Sequence, residues 1–386
     1  MARIGRILIV GGGIGGLSAA IALRTVGFDV EVFEQSPELR EAGAGVGLWS
    51  NALASLDQLG VGQALRGSSL PLRVLTGANA RGKTLSLVNL DELGPDFANA
   101  ACHVVLRPTL LAALAARLPE GSIHTGRRAL RIEALPERVR VHFEAGAAEE
   151  GELLIGADGL HSLARREVVG DTALRYSGQT CFRGVARTRL AGAPALREIQ
   201  GPGQRGAVCP VDRETVYWWA AHNAEAGSLL EPRTRQAHLL ARYAGWPFGL
   251  EEAIAATASD AILQNDLVDR APVNAYARGR IVLTGDAAHP TTPNLGQGAN
   301  MAIDDAIVLA RALRDEASIA AACARYERER LPRTRQIVER SWSFGQMCRW
   351  QSPLAVWLRE LMLGLTPEHV MRRLLRSQIL DDVGVL

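Results

Sequence analysis

Short apolar runs alternate with stretches of helical spacing over the first part of the chain. Arg6 to Val10 is leucine-rich and β-branched, small apolar residues recur at helical spacing through Leu23, and Asp29 to Phe33 reads as a second strand. Asn51 to Leu65 has the pattern of one amphipathic helix, and Arg73 to Val88 alternates as a hairpin outside the first sheet. Arg107-Pro108-Thr109-Leu110 opens a helix with proline in its first turn and Leu110, Leu111, Leu114 and Leu118 on one face. Strands are expected at 127–132 and 139–143, then an acidic linker from Glu144 to Glu152. A further buried strand ends at Gly156, followed by an Asp158-Gly159 turn and a helix start at Ser162.

From Tyr176 to about Ile262 this rhythm stops. The runs Gln179 to Val185, Gly206 to Pro210 and Thr215 to Ala221 are aromatic-rich and separated by Gly/Pro turns, as in an antiparallel sheet. The βα pattern then returns: Ile281 to Leu283 is apolar, stops at Gly285-Asp286, crosses a loop holding Pro290, Pro293, Gly296 and Gly298, and resumes as helix near Asn300. Ala320 to Arg340 is a long Arg- and Glu-rich helix expected to break at Pro332. The tail places Trp342, Trp350, Trp357, Leu361, Leu365, Val370, Leu374 and Leu375 at helical spacings, with Thr366 as an N-cap before Pro367. These apolar side chains are expected to pack over the core or a second copy; a lipid surface or a lipophilic substrate is the alternative.

The pattern therefore predicts an α/β protein: a Rossmann-like dinucleotide-binding domain (1–72, 99–175 and 270–316), an inserted, mainly antiparallel substrate domain (73–98 and 176–269), and a C-terminal helical segment (317–386). With 386 residues and 47% hydrophobic content the chain can bury such cores. A formal net charge of +2 lacks the basic excess of a nucleic-acid binder. The five cysteines, Cys102, Cys181, Cys209, Cys323 and Cys348, are scattered without a CxxC pair, which disfavours a disulfide framework, a metal site and a dithiol centre. No run is long enough for a membrane span or a signal-peptide core, so a soluble cytoplasmic monomer or homodimer is expected.

Candidate chemistry sits where strands give way to glycines. Gly11-Gly12-Gly13-Ile14-Gly15-Gly16 is GxGxxG between a strand and a helix: Gly11 for the tight turn, Gly13 for close approach of a pyrophosphate, Gly16 for helix–strand packing. Glu34, ending the second strand, is placed to accept ribose hydroxyls. Spacing alone leaves NAD and FAD open. A second glycine-rich stretch, Leu39 to Leu48, suits backbone passing close to a long ligand. Arg107, before its helix, can reach phosphate or ribityl oxygens. In the loop after Leu283, Gly296 and Gly298 admit a ligand to the backbone, and the next helix aims free N–H groups at it. On the predicted substrate sheet Arg183, Arg205, Tyr217, Trp219 and His222 are candidates for a pocket wall.

Three segments, GGGIGG with Glu34, GADGLHSLAR (155–165 region) and LTGDAAHPTTPNLGQGAN, together resemble the single-component FAD-dependent aromatic monooxygenases of the para-hydroxybenzoate-hydroxylase type, across nearly the whole chain. The salicylate, 3-hydroxybenzoate and urate hydroxylases and the zeaxanthin-epoxidase-like members are most similar. The resemblance implies non-covalent FAD, with Gly11, Gly13, Ile14, Gly15 and Gly16 at its pyrophosphate and Glu34 and Gln35 at the adenosine. Val46, Arg107, Ala129, Asp158, Asp286 and the run Gly296, Gln297, Gly298, Ala299, Asn300 would lie along the rest of the cofactor, with Pro293 at the flavin ring. It also implies NADH or NADPH as a transient reductant, since no second GxGxxG follows. A C4a-hydroperoxyflavin would then hydroxylate an electron-rich aromatic or polyketide-like molecule. In urate hydroxylases an arginine, a tyrosine and a loop aspartate serve the substrate; Arg205 and Tyr217 match the first two, but Asn294 stands at the third, which argues against urate. A flavin reductase or oxidase of a lipophilic substrate, and a non-catalytic flavin-binding protein, are the competing expectations.

Overall fold

The computed structural model describes residues 5–39, 44–93, 102–380 and 383–386. Residues 40–43 of the second glycine-rich stretch and 94–98 of the expected hairpin segment lie outside the described residues. The central sheet has six strands in the order Ala277–Arg278, Ile281–Leu283, Leu153–Gly156, Arg6–Val10, Asp29–Phe33 and Ile123–His124, all parallel except the first. The first helix, Ile14–Thr25, packs between this sheet and the helix Gly298–Asp315, and almost every residue of both is apolar or small where they meet. That two-sided burial explains why these elements read as continuous apolar runs. A three-stranded antiparallel sheet, Ala129–Ala134, Val139–Phe143 and Glu149–Gly151, covers one flank through Phe143 against Phe33.

The substrate sheet has seven strands, ordered Leu263–Arg270, Leu174–Arg187, Thr215–Asn223, Gln204–Pro210, Ala195–Gly201, Val74–Asn79 and Thr84–Asn89. Alternation gives it two apolar faces. One carries Phe182, Val208, Val216 and Trp218 beneath two short helices, Arg235–Arg242 and Leu250–Ala255. The other presents Tyr217, Cys209 and Trp219 toward Trp49, Leu72 and Val104 of the nucleotide-binding part.

Four local expectations are corrected. The helix expected over 51–65 is two, Ser50–Gln58 and Gly62–Gly67, parted where Gly60 takes φ 75°. The acidic linker contains the strand Glu149–Gly151, in which Glu150 pairs with Arg138 and Arg140 and Glu149 pairs with Arg6. The helix Ile319–Cys348 runs through Pro332 unbroken, because Pro332 and the Arg328 turn beneath it face solvent, where water can serve the freed carbonyl. Thr366 ends the helix Pro353–Leu365, its hydroxyl donating to Met362 O, and Pro367 occupies the cap position of Glu368–Ile379. The two short helices after Ser228 were hidden by the strand pattern around them. No helix of the described residues is long and apolar enough to cross a membrane.

The helix Gly298–Asp315 buries two adjacent carboxylates. Asp304 accepts from Asn51 Nδ2 and Ser55 Oγ, both at 2.7 Å. Asp305 accepts from Arg330 Nε at 2.7 Å, the Gly285 N–H at 2.9 Å and His289 Nε2 at 2.6 Å. Burial alone would raise the Asp305 carboxyl; His289 and Arg330 outweigh it and hold the group far below the ordinary carboxylate range. A depressed native value means that this stabilisation is complete above the unfolded-state value, near 4, and is lost as pH falls below it. Asp305→Asn should therefore cost about 3 kcal/mol or more at neutral pH, by removing the charge that faces the buried Arg330 and His289, and should flatten the acid limb of the stability curve. Urea unfolding of both proteins from pH 3 to 8 checks it.

Candidate active site

Each glycine of GxGxxG has a separate geometric reason. Gly11 has φ 107° and its N–H donates to Phe33 O at 2.8 Å; a Cβ there would lie 2.2 Å from Ala157 O. A Cβ on Gly16 would lie 1.9 Å from Gly11 O, so helix and strand pack only through glycine. Gly13 is different: a Cβ on it would meet no protein atom within 4 Å. Its missing side chain leaves room in front of the first N–H groups of Ile14–Thr25, where a diphosphate fits. Gly15 faces Gly285 and Ala302, bringing this helix start beside the loop that follows Ile281–Leu283.

Glu34 closes the strand Asp29–Phe33. Its carboxylate accepts from Gly12 N at 2.6 Å and Ser36 N at 2.8 Å, which fixes it at the rim of the glycine turn with lone pairs left for ribose hydroxyls. Gln35 is exposed beside it. Arg127, which sequence reasoning missed, joins this edge: its N–H donates to Glu34 O and its guanidinium lies 4.4 Å from the Phe143 ring centroid. Ala129 begins the strand two residues on and pairs with Phe143. Asp158 serves its own chain: Ser162 Oγ donates to one oxygen at 2.5 Å, and the N–H groups of Leu163 and Ala164 to the other at 2.7 and 3.2 Å. It thus acts as the cap of Leu163–Val169, with burial pushing its carboxyl up. Asp286 is exposed in the turn Gly285–Ala287, its Oδ1 4.0 Å from where a Cβ on Gly298 would stand.

The loop before Gly298 is clamped on two sides. Asn300 accepts from Trp49 N at 2.8 Å and donates to Gly47 O and Gly296 O, tying the strand Gly45–Trp49, and Val46 with it, to the loop. At the tip, Asn294 Nδ2 donates to Thr292 Oγ1 and Ser341 O, and its carbonyl accepts from Arg205. Gly345 leaves the space for this amide, since a Cβ there would lie 2.3 Å from Asn294 Nδ2. Pro293 is exposed at the start of the same turn. Gln297 is buried, and its Nε2 has no hydrogen-bond partner. An orphaned donor at a helix start, beside Gly298 and Ala299, suits the carbonyl-rich edge of a flavin.

Register puts Arg183, Tyr217, Trp219 and Arg205 on the face of the substrate sheet that looks toward this loop. Arg205 is buried, with its guanidinium carbon 5.0 Å from the Trp219 ring centroid and 5.9 Å from Phe344. The Tyr217 ring rests on the backbone of Gly45, where a Cβ would approach to 2.4 Å. Burial pushes the Tyr217 phenol well above its ordinary value, so it stays a neutral donor. Arg183 stands toward the sheet edge and donates to Asn265 Oδ1. His222 is a correction: it lies on the opposite face, stacked on Phe182 at 5.5 Å near His238, and burial lowers it to about 3. Two groups near Arg205 were not foreseen. Glu198 Oε1 is 3.8 Å from Arg205 Nη1, with burial pushing its carboxyl up, and Arg359 enters from the helix Pro353–Leu365 to donate to Gly201 O. Alternating residues on an unrecognised strand, Ala195–Gly201, gave no signal for the first; the charged pair Arg359-Glu360 in a largely apolar helix was the available signal for the second.

Fold and site together define a flavoprotein hydroxylase, with a dinucleotide cradle facing a separate substrate sheet. The chain belongs to the FAD binding domain family, whose profile matches residues 5–341. It is 35% identical over 373 residues to the aurachin C monooxygenase/isomerase of Stigmatella aurantiaca, covering 96% of this chain and 97% of that protein. It is 34% identical over 385 residues to the 2-heptyl-3-hydroxy-4(1H)-quinolone synthase of Pseudomonas aeruginosa UCBPP-PA14, 98% of each. The structure of Klebsiella pneumoniae HpxO complexed with FAD and uric acid superposes with TM-score 0.91 and 29% identity, covering 97% of this chain and 96% of that one. The protein is thus an FAD-dependent monooxygenase using NAD(P)H. When bound, the flavin accepts reducing equivalents and activates oxygen; the chain binds it, orients it and excludes water.

Gly13 separates cofactor binding from folding. Gly13→Ala should leave thermal unfolding of the FAD-free protein unchanged yet reduce FAD retained after gel filtration by about tenfold or more, whereas Gly16→Ala should destabilise both forms. Flavin absorbance per protein and a thermal melt of the stripped protein decide; equal retention in Gly13→Ala removes the pyrophosphate assignment.

Proposed function

We propose that the protein hydroxylates a planar aromatic or heteroaromatic enol, of the phenol or hydroxyquinoline type, that bears an apolar substituent. The observation that carries this reading is the state of Arg205. It is buried on the flavin-facing side of the sheet, and its loop partner is the neutral amide of Asn294 rather than a carboxylate. Glu198, the nearby acid, is pushed by burial toward its neutral form. The Arg205 Nε has no hydrogen-bond partner in the protein, and the ligand it favours is an acceptor, an enolate or phenolate oxygen. Such an anion is electron-rich at carbon, as electrophilic oxygen transfer needs. Tyr217 can donate a second hydrogen bond, and the Trp219 ring supplies a flat wall. An aspartate in place of Asn294 would instead neutralise Arg205 and suit a substrate with N–H donors.

An apolar substituent is supported by a cleft of about 440 Å³ between the loop, the long helix and the last helix, lined by Leu295, Phe344 and Leu374 with Gln336, Arg340 and Gln378 at its polar side. Phe344 touches both this cleft and Arg205. A relative aligned over 98% of the chain, the C-terminal helices included, is named for a heptyl-substituted hydroxyquinolone.

Purified, FAD-loaded protein assayed with NADH and with NADPH against phenols and 4-hydroxyquinolines, with and without 2-alkyl chains, tests the reading. An alkylated hydroxyquinoline should accelerate NAD(P)H oxidation and lower hydrogen peroxide released per equivalent; purines should not. Arg205→Gln should lower kcat/KM by about a hundredfold at unchanged FAD content. If Arg205→Gln is silent, the arginine does not meet the substrate.

A further inference from the structure

The helix Pro353–Leu365 is inside out. Its charged side chains point into the protein: Arg359 is 0% exposed and bonded to Gly201 O, and Glu360 accepts from Asn79 Nδ2. Its apolar side chains point to solvent: Leu354 is 74% exposed, Leu365 70%, Trp357 58% and Met362 52%, with Leu358 and Leu361 beside them. Val370 and Leu374 of the next helix, Glu368–Ile379, extend the surface. Of the large exposed hydrophobics among the described residues, most fall in this one stretch. Isolated exposed leucines need no explanation, but a contiguous patch in which the polar residues have been turned inward does.

Three features say what covers it. The helix Pro353–Leu365 has 13 residues, too short to cross a bilayer and suited to lying along one. A tryptophan sits in the middle of the apolar face, as at lipid–water boundaries. The neighbouring helix Glu368–Ile379 carries Arg372, Arg373 and Arg376 against Glu368 and against Glu92, which pairs with Arg372 at 2.6 Å; Arg376 donates to Leu93 O, Arg373 is exposed beside Leu374, and Arg340 bonds to Ser377, so the surface keeps a cationic excess. Pairing with a second copy about a two-fold axis would bring this cationic helix against itself. An anionic surface meets it with opposite charge.

We propose that the exposed face of the two helices Pro353–Leu365 and Glu368–Ile379 is a peripheral docking surface for an anionic lipid bilayer. Leu374 belongs to this face and also lines the cleft beside the flavin loop. A docked protein therefore opens the cleft toward the acyl chains, so that a lipophilic substrate can pass in without crossing water. That last step rests on the proposed substrate class; the docking does not.

Flotation of the full-length, FAD-loaded protein, without substrate, on vesicles of phosphatidylcholine alone or mixed with phosphatidylglycerol tests the docking. The protein should float with the mixed vesicles, and added salt should release it. The double substitution Trp357→Glu with Leu361→Glu should reduce the bound fraction by about tenfold, with FAD content and substrate-free NAD(P)H oxidation unchanged. Arg373→Glu should weaken binding to the mixed vesicles only. Failure of the unmodified protein to float, equal flotation on neutral vesicles, or a solution dimer that the double substitution dissociates would each overturn the proposal. Because no substrate enters the experiment, a wrong substrate class leaves the result untouched.

Discussion

The site depends on one buried ion pair. Asp305 takes Arg330 on one oxygen and His289 with the Gly285 N–H on the other, on the buried face of the helix Gly298–Asp315. Three separate segments are joined through it: the turn after Ile281–Leu283, the helix Gly298–Asp315 and the long helix Ile319–Cys348. Without the carboxylate, Arg330 and His289 would be left desolvated, and the turn would lose the contact that sets its N–H direction.

From that anchor, geometry passes outward through amides. Asn300 holds the strand Gly45–Trp49 to the loop base, and Asn294 holds the loop tip to the helix at Ser341 and Gly345. Both use neutral hydrogen bonds that fix position without adding charge. The charges offered to ligands are therefore few and separated: the helix N-termini toward the cofactor and Arg205 toward the substrate. This separation lets one loop serve two partners.

Much of the cofactor half was legible because close backbone approach restricts residue choice. Gly11 and Gly16 tolerate no Cβ, Gly13 needs its space empty, and Glu34 ends a strand of fixed length, so their spacing carries geometry. The substrate half was less legible. Single strands show which residues alternate but not which face meets the flavin, and His222 fell on the wrong one. Glu198 reaches Arg205, and Arg359 reaches Gly201 O, only through strand order and helix docking, which local pattern does not encode. Pro332 misled for a simpler reason: a proline removes one helical hydrogen bond and can bend a helix without ending it. Asp158, singled out by its motif, also accepts from Ser162 Oγ and the Leu163 N–H at the start of its own helix, a local role that the motif did not announce.

The strand order has a consequence for how the chain is made. Arg6–Val10 lies between Asp29–Phe33 and Leu153–Gly156, which in turn needs Ile281–Leu283, while Val74–Asn79 pairs with Ala195–Gly201. Neither sheet can be completed until a distant partner has left the ribosome, and the early strand Arg6–Val10 has one edge unpaired in the meantime. The nascent chain is thus exposed to aggregation over most of its synthesis, and the cofactor cradle, built first in sequence, is among the last parts to close.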